Sequence, residues 1–265
     1  MRRLGLLMAT TLQSARLLVS LCAVLGVLQA AGAQLSETPK AGTQPRLSAE
    51  EVVARMVRKN LDRSQALGAY QGTRIYRLEY HGFPGSRTAE MVVDVKYHSP
   101  GTKEFSIRSQ KGSQLIIDRV FQRMLDSEKE AGTEEYQRRI ALNNDNYRFA
   151  LVGFETTATG PSYILSVEPV TNDKLLYRGR IWVNAEDFAL ARIEAVPAKN
   201  PSFWTKETRI EQVYAKVGDF WLPLSNRSNS LIRLGGRANF SIDYQDYQIT
   251  AATAVGTSQS AAGSR

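Results

Sequence analysis

The chain has 265 residues, 43% of them hydrophobic and 23% charged, with a formal net charge of +8 and a single cysteine, Cys22. That length supports one sizeable core, and one cysteine excludes an intramolecular disulfide or a multi-cysteine metal site. The positive charge is dispersed, its densest runs being Arg55/Arg58/Lys59/Arg63 and Arg138/Arg139. A nucleic-acid binder concentrates its charge in one stripe, so the basic residues read as solvated surface with a weak preference for anionic head groups.

The N-terminus carries Met1-Arg2-Arg3, then Arg16, the apolar run Leu17 to Leu28 and Ala31-Gly32-Ala33. This is the order of a positive n-region, an h-region and an A-x-A cleavage signal. The run is shorter than the ~20 residues a membrane-spanning helix needs. Residues 1–33 are expected to be a signal peptide cleaved after Ala33, giving a periplasmic protein that starts at Gln34. Cys22 follows Leu21 instead of the small residue a bacterial lipoprotein signal requires, so no lipid anchor is expected. Removing Arg2, Arg3 and Arg16 lowers the formal charge from +8 to +5 and leaves no cysteine at all.

Residues 34–46, rich in Ser, Thr, Pro, Gly and Gln, read as a disordered leader. Ser48-Ala49-Glu50-Glu51 matches a capping box. Val52, Val53, Met56 and Val57 continue at helical spacing, predicting an amphipathic helix over about 48–66. Strands follow at Tyr70–His81, Arg87–His98 and Glu104–Arg108, punctuated by Gly82-Phe83-Pro84-Gly85 and Ser99-Pro100-Gly101. In the second of them Ala89, Met91, Val93, Val95 and Tyr97 alternate with Thr88, Glu90, Asp94 and Lys96, Val92 being the exception. That is the pattern of a half-buried strand.

The period then changes. Leu115, Ile116, Ile117, Val120, Phe121, Met124 and Leu125 recur at three- and four-residue steps, predicting a helix over 114–130. A shorter helix is expected at Glu134–Leu142, ended by Asn143-Asn144-Asp145-Asn146. Tyr147–Thr156 and Tyr163–Val170 are further strands, around Thr159-Gly160-Pro161.

From Lys174 to Ile249 no helix interrupts the β pattern: Lys174–Asn184, Phe188–Ala195, Phe203–Val217, Trp221–Leu234 and Arg237–Ile249. Strands of about 10–14 residues reach about 35 Å or more, which suits a large curved sheet better than a small sandwich. Residues 250–265, mostly Ala, Thr, Ser and Gly, read as a disordered tail. The expected fold is α+β: one domain, 47–249, with a large curved antiparallel sheet of about 10 strands, an incomplete β-barrel, and two or three helices covering its concave face.

Catalytic patterns are missing. His81 and His98 lie in no metal-ligand spacing. No G-x-S-x-G, G-x-G-x-x-G or phosphate-loop motif occurs. Asp243 and Asp246, three apart in a strand, point to opposite faces unless a bulge intervenes. No enzyme activity, cofactor or metal is expected. Trp182, Trp204, Trp221, Phe203 and Phe220 are either sheet core or the lining of an acyl-chain cavity.

Tyr177-Arg-Gly-Arg-Ile-Trp-Val183, Phe188-Ala-Leu-Ala-Arg-Ile-Glu194, Asn200-Pro-Ser-Phe-Trp204, Lys216-Val-Gly-Asp-Phe-Trp-Leu-Pro223 and Ile242-Asp-Tyr-Gln-Asp-Tyr247 carry a family resemblance. Over about residues 48–249 the chain resembles the LolA/LolB-like superfamily of outer-membrane lipoprotein-sorting proteins, which includes the RseB N-terminal domain. The resemblance implies an exported incomplete barrel with an apolar concave face under helices, and one arginine that latches the cover; several arginines here are candidates for it. It also implies a periplasmic carrier or chaperone for lipoprotein acyl chains or phospholipid.

Alternation assigns the binding face to Leu78, Val93, Val95, Phe105, Phe149, Leu165, Ile181, Val183, Ile210 and Ile242, with Val120, Phe121 and Met124 as a movable lid. The other readings are an RseB-like envelope-stress regulator that binds a membrane protein, and a structural envelope module. RseB has a second C-terminal domain where this chain has a short polar tail.

Overall fold

The computed structural model describes residues 47–130, 133–200, 205–233 and 235–252. The expected signal peptide and leader, and the tail beyond 252, lie outside the described residues, as do Phe203 and Trp204.

Helix α1 (Ala49–Ala66) begins at the capping box. Ser48 Oγ accepts from the Glu51 N–H at 3.2 Å, and Glu51 Oε2 accepts from the Ser48 N–H at 2.8 Å. These bonds satisfy two amides that the helix itself leaves open. The chain passes without a loop into β1 (Leu67–His81), then β2 (Arg87–His98) and β3 (Thr102–Gly112). It turns helical in α2 (Gln114–Ile116), runs through a π-helical turn at Ile117–Phe121 and continues as α3 (Gln122–Glu130), with α4 at Glu134–Ile140. The remaining strands are β4 (Tyr147–Thr157), β5 (Gly160–Pro169), β6 (Tyr177–Asn184), β7 (Leu190–Pro197), β8 (Thr205–Val217), β9 (Phe220–Ile232) and β10 (Gly236–Ala251).

The strands form one 10-stranded sheet in the order β3-β2-β1-β10-β9-β8-β7-β6-β5-β4. Neighbours are antiparallel throughout, and β1 pairs with β10 to bring the two ends of the described chain together. The edges β3 and β4 do not pair, so the sheet curves without closing. Register shifts in the β1–β10, β2–β3, β4–β5, β6–β7 and β8–β9 pairings supply bulges that bend it. The chain linking the two open edges includes the helical segment after β3, which packs over β1, β2 and β10.

Several boundaries differ from the sequence reading by a few residues, and two of them concern a sheet edge and the end of the last strand. Edge strand β3 runs to Gly112 instead of stopping at Arg108, because its outer half (Ser109-Gln110-Lys111) is polar and has no apolar alternation to read. Charged, polar edges also resist pairing with other chains. Strand β10 continues to Ala251, so the first two residues of the expected tail pair with β1.

Alternation in β2 is as read: Ala89, Met91, Val93, Val95 and Tyr97 are all buried on one face. The buried apolar residues fall into two main clusters. One joins β1, β2, β9 and β10 to the helical segment after β3. The other joins β4 to β8 to helix α1.

Candidate functional site

The apolar positions of the sheet divide between these clusters. Leu78, Val93, Val95 and Ile242 are buried in the first, with Phe105 half-buried against it, under Val120, Phe121 and Met124. Leu165, Ile181 and Val183 are buried in the second, with Phe149 packed against it. Ile210 is buried between them on β8, 4% exposed. The expected lid residues therefore cover only one half of the concave face. The other half is covered by Val52, Val53 and Met56 of α1. Helix α1 is tied down at two points beyond its cap: Arg55 in the second turn lies 5.2 Å from the centre of the Phe188 ring, and Arg63 in the last turn donates to the Asp187 carbonyl.

The other cover is fastened differently. Glu128 of α3 accepts from Arg74 Nη1 of β1 at 3.0 and 2.8 Å, and from Lys103 Nζ of β3 at 2.8 Å. The side chains of Arg74, Glu128 and Lys103 are 5%, 2% and 4% exposed. Arg74 also donates to Tyr76 Oη at 3.3 Å, and its guanidinium lies over the rings of Phe105 and Tyr244 at 5.7 and 5.2 Å. Aromatic faces favour a cation and partly replace its lost water.

The electrostatics follow from burial and pairing. Burial by itself would raise the Glu128 carboxyl, but Arg74 and Lys103 outweigh it and hold the group below the usual carboxylate range. Burial opposes the charge on Arg74, yet Glu128 and the surrounding tyrosines keep its guanidinium firmly protonated. Burial pushes the Tyr76 phenol up to about 12 against the opposing pull of Arg74. Arg74 and Glu128 are thus ionic at neutral pH, with the helix carrying the anion and strands β1 and β3 its two basic partners.

Sequence reasoning missed this cluster, although its signal was present. Arg74 occupies the inward series Tyr70, Gly72, Arg74, Tyr76, Leu78, where a lone charge stands among aromatic and apolar residues. Glu128 continues the stripe of Phe121, Met124 and Leu125 at helical spacing.

The aromatic candidates separate. Phe220 is buried in the first cluster. Trp182 is not on the concave face: it lies on the side of β6 opposite Ile181 and Val183, between Arg180 and Arg192 at 5.4 and 5.1 Å. Its Nε1 donates to Glu155 at 2.6 Å. Strand alternation decides this, because neighbours in sequence face opposite sides. Trp221 donates to Asp187 at 2.8 Å and bridges the inner and outer packing.

Between Asp243 and Asp246 a bulge does intervene, in which Asp246 has a φ of 59°. Asp243 is engaged by Arg77 and by Arg227, the latter at 2.8 Å. His81 Nδ1 lies 3.1 Å from Ser86 Oγ in an exposed turn. Among the described residues, no group of three His, Cys, Asp or Glu side chains is placed to hold a metal, and no helix is long and apolar enough to cross a membrane.

No family model and no curated protein matches the chain. Solved structures similar to it include a DUF1329 family protein from Desulfovibrio piger, 12% identical, TM-score 0.40, covering 78% of this chain and 95% of that one. A domain from Vibrio parahaemolyticus assigned to outer membrane lipoprotein sorting is 12% identical at a TM-score of 0.39, with 78% and 95% covered. A LolA superfamily protein from Nitrosomonas europaea is 9% identical at a TM-score of 0.32, with 78% and 96% covered. At TM-scores of 0.40 and below, these likenesses carry no functional inference.

Proposed function

We propose that this protein is a periplasmic carrier or chaperone that holds the acyl chains of a lipid or lipoprotein against its concave sheet face, in outer-membrane lipoprotein sorting. The observation that carries this reading is the buried ion cluster Arg74–Glu128–Lys103, which fastens a covering helix onto the first apolar cluster of the sheet. A helix that only completed a core would be held as well or better by apolar residues of the same volume, because desolvating three charges is costly. An ionic fastening fixes one closed position and gives way once the helix lifts and water reaches the charges.

The magnitudes are compatible with ligand-driven opening. Separating the partners of a buried pair costs at most about 3–5 kcal/mol, the figure for a pair broken with one charge left buried. Each methylene buried returns ~0.8 kcal/mol. Roughly six methylenes therefore offset the latch, and two acyl chains exceed it several-fold.

Native mass spectrometry of the exported protein, purified without detergent and then extracted with solvent, tests the reading. Phospholipid or acylated peptide at a reproducible ratio is the expected result. A bare protein mass that persists after incubation with phosphatidylethanolamine vesicles would overturn it and move the function to binding a protein partner.

A further inference from the structure

The concave face is not apolar throughout. Between the two clusters run β8 and β9, whose inward positions carry Thr208, Gln212, Asn226, Ser228 and Ser230. Register brings them together: Thr208 faces Ser230, Ile210 faces Ser228, and Gln212 faces Asn226. On one side the strip is bordered by Phe240 and Ile242, next to Ser228 and Asn226. On the other it is bordered by Ile193 and Ala195, next to Gln212 and Ile210. These borders belong to the first and second apolar clusters respectively.

The strip is fully enclosed and incompletely satisfied. Thr208 Oγ1 and Ser230 Oγ meet at 3.0 Å. Gln212 is 0% exposed and Ser228 is 1% exposed. Yet Gln212 Oε1, Gln212 Nε2 and Ser228 Oγ have no hydrogen-bond partner among the described residues. Buried polar groups in folded proteins are almost always partnered, because an orphan forfeits its hydration without return. A leucine at 212 would fold at lower cost. A sequence that breaks this rule in the middle of its concave face is displaying a site.

We infer that this strip receives the neutral polar linkage of a two-chain cargo: the ester or amide carbonyls and N–H groups that join acyl chains to their head group. The inference rests on the carrier reading and adds to it where the cargo's polar junction sits. The amide of Gln212 offers two donors and an acceptor, and the Ser228 hydroxyl offers one donor. Ester carbonyls accept from these, and an amide N–H donates to Gln212 Oε1. The chains then lie to either side, one on each apolar cluster. A phosphate does not fit the strip. Arg209 and Arg227 sit at outward, exposed positions of the same strands, and the buried cations Arg74 and Lys103 are committed to Glu128.

The test uses the full exported chain, delipidated, with three probes: dipalmitoyl phosphatidylethanolamine, its dialkyl-ether analogue of equal chain length, and a dipalmitoylated cysteinyl peptide. Wild type is expected to bind the diester about tenfold more tightly than the diether, the difference of one or two well-made hydrogen bonds. In Gln212→Leu/Ser228→Ala that preference is expected to disappear, diester and diether then binding alike. The peptide and phospholipid arms separate the two sources of the same linkage, and ester-over-ether preference with either supports the inference. Equal binding of diester and diether by wild type would overturn the strip's role and leave the carrier reading standing. Failure of every probe to bind would refute the carrier reading itself. Gln212→Leu alone should melt no lower than wild type; a lower Tm would show that Gln212 is already satisfied in the empty protein and would overturn the inference.

Discussion

Glu128 of the covering helix and Arg74 of strand β1 meet at 2.8 Å with both side chains shut off from solvent. They are far apart in sequence and lie on elements of opposite type. The bond is therefore one specific point at which the cover is fixed to the sheet, with Lys103 of β3 as its second anchor.

Removing one partner should release the cover. Glu128→Gln leaves two buried cations facing a neutral amide and is expected to cost about 3–5 kcal/mol. Faster hydrogen exchange across 114–130, with β4–β7 still protected, is the signature of local opening. Uniform loss of protection would mean that the cluster supports the whole fold.

Replacing the whole cluster with apolar residues should do the reverse. Arg74→Met/Lys103→Met/Glu128→Leu removes the desolvation cost and is expected to be neutral or stabilising by about 1–4 kcal/mol. A cover held this way lifts less readily, so uptake of a fluorescent fatty-acyl probe should slow, by about tenfold for each ~1.4 kcal/mol gained, while Tm holds or rises. Unchanged uptake would show that this helix does not gate the site.

Acid should act through Glu128. Its carboxyl is held below the ordinary value, so its contribution is fully present above the unfolded pKa and is lost as pH falls through the lower, folded one. Stability measured against pH should therefore fall below the usual carboxylate range in wild type, and less steeply in Glu128→Gln. Parallel curves for the two proteins would remove Glu128 from the acid response.

Gly112 ends β3 just before the covering segment, with a φ of +91°. A Cβ there would stand 2.3 Å from the Thr88 carbonyl oxygen, closer than real atoms approach. Gly112→Ala should cost at least about 1–3 kcal/mol from backbone strain. A Tm equal to wild type would show that this junction is loose.

The second half of the face depends on α1. Ser48→Ala removes one arm of the capping box and should cost about 1 kcal/mol. The first turn of α1, which carries Val52 and Val53, should exchange faster, read by amide exchange at residues 49–53. Unaltered exchange would assign the hold on α1 to its contacts at Arg55 and Arg63.

The sequence by itself determined the elements and the inward face of most strands. Periodicity is a local property: the run Ala89, Met91, Val93, Val95, Tyr97 can be buried together only on a strand, and Ser48 with Glu51 can cap only a helix start. Local pattern also showed that helices interrupt the β pattern between two groups of strands. It could not show that the chain carrying those helices links two unpaired edges, because strand order is set by pairing between β1 and β10 at opposite ends of the chain.

Only the tertiary structure decided how the face is divided and held. Trp182 could be sheet core or cavity lining until its alternation was fixed against Ile181, which turned it outward between two arginines. Arg74 and Glu128 stand out in the sequence only as charges on apolar faces, and Lys103 does not stand out at all in a chain that is 23% charged. Their meaning arises when curvature and helix docking bring three distant residues into one dry volume, where Coulomb attraction is strong and an unpaired charge is intolerable. The same holds for Gln212 and Ser228: a polar residue in a strand is ordinary, and becomes informative only when folding removes its water and supplies no partner among the described residues.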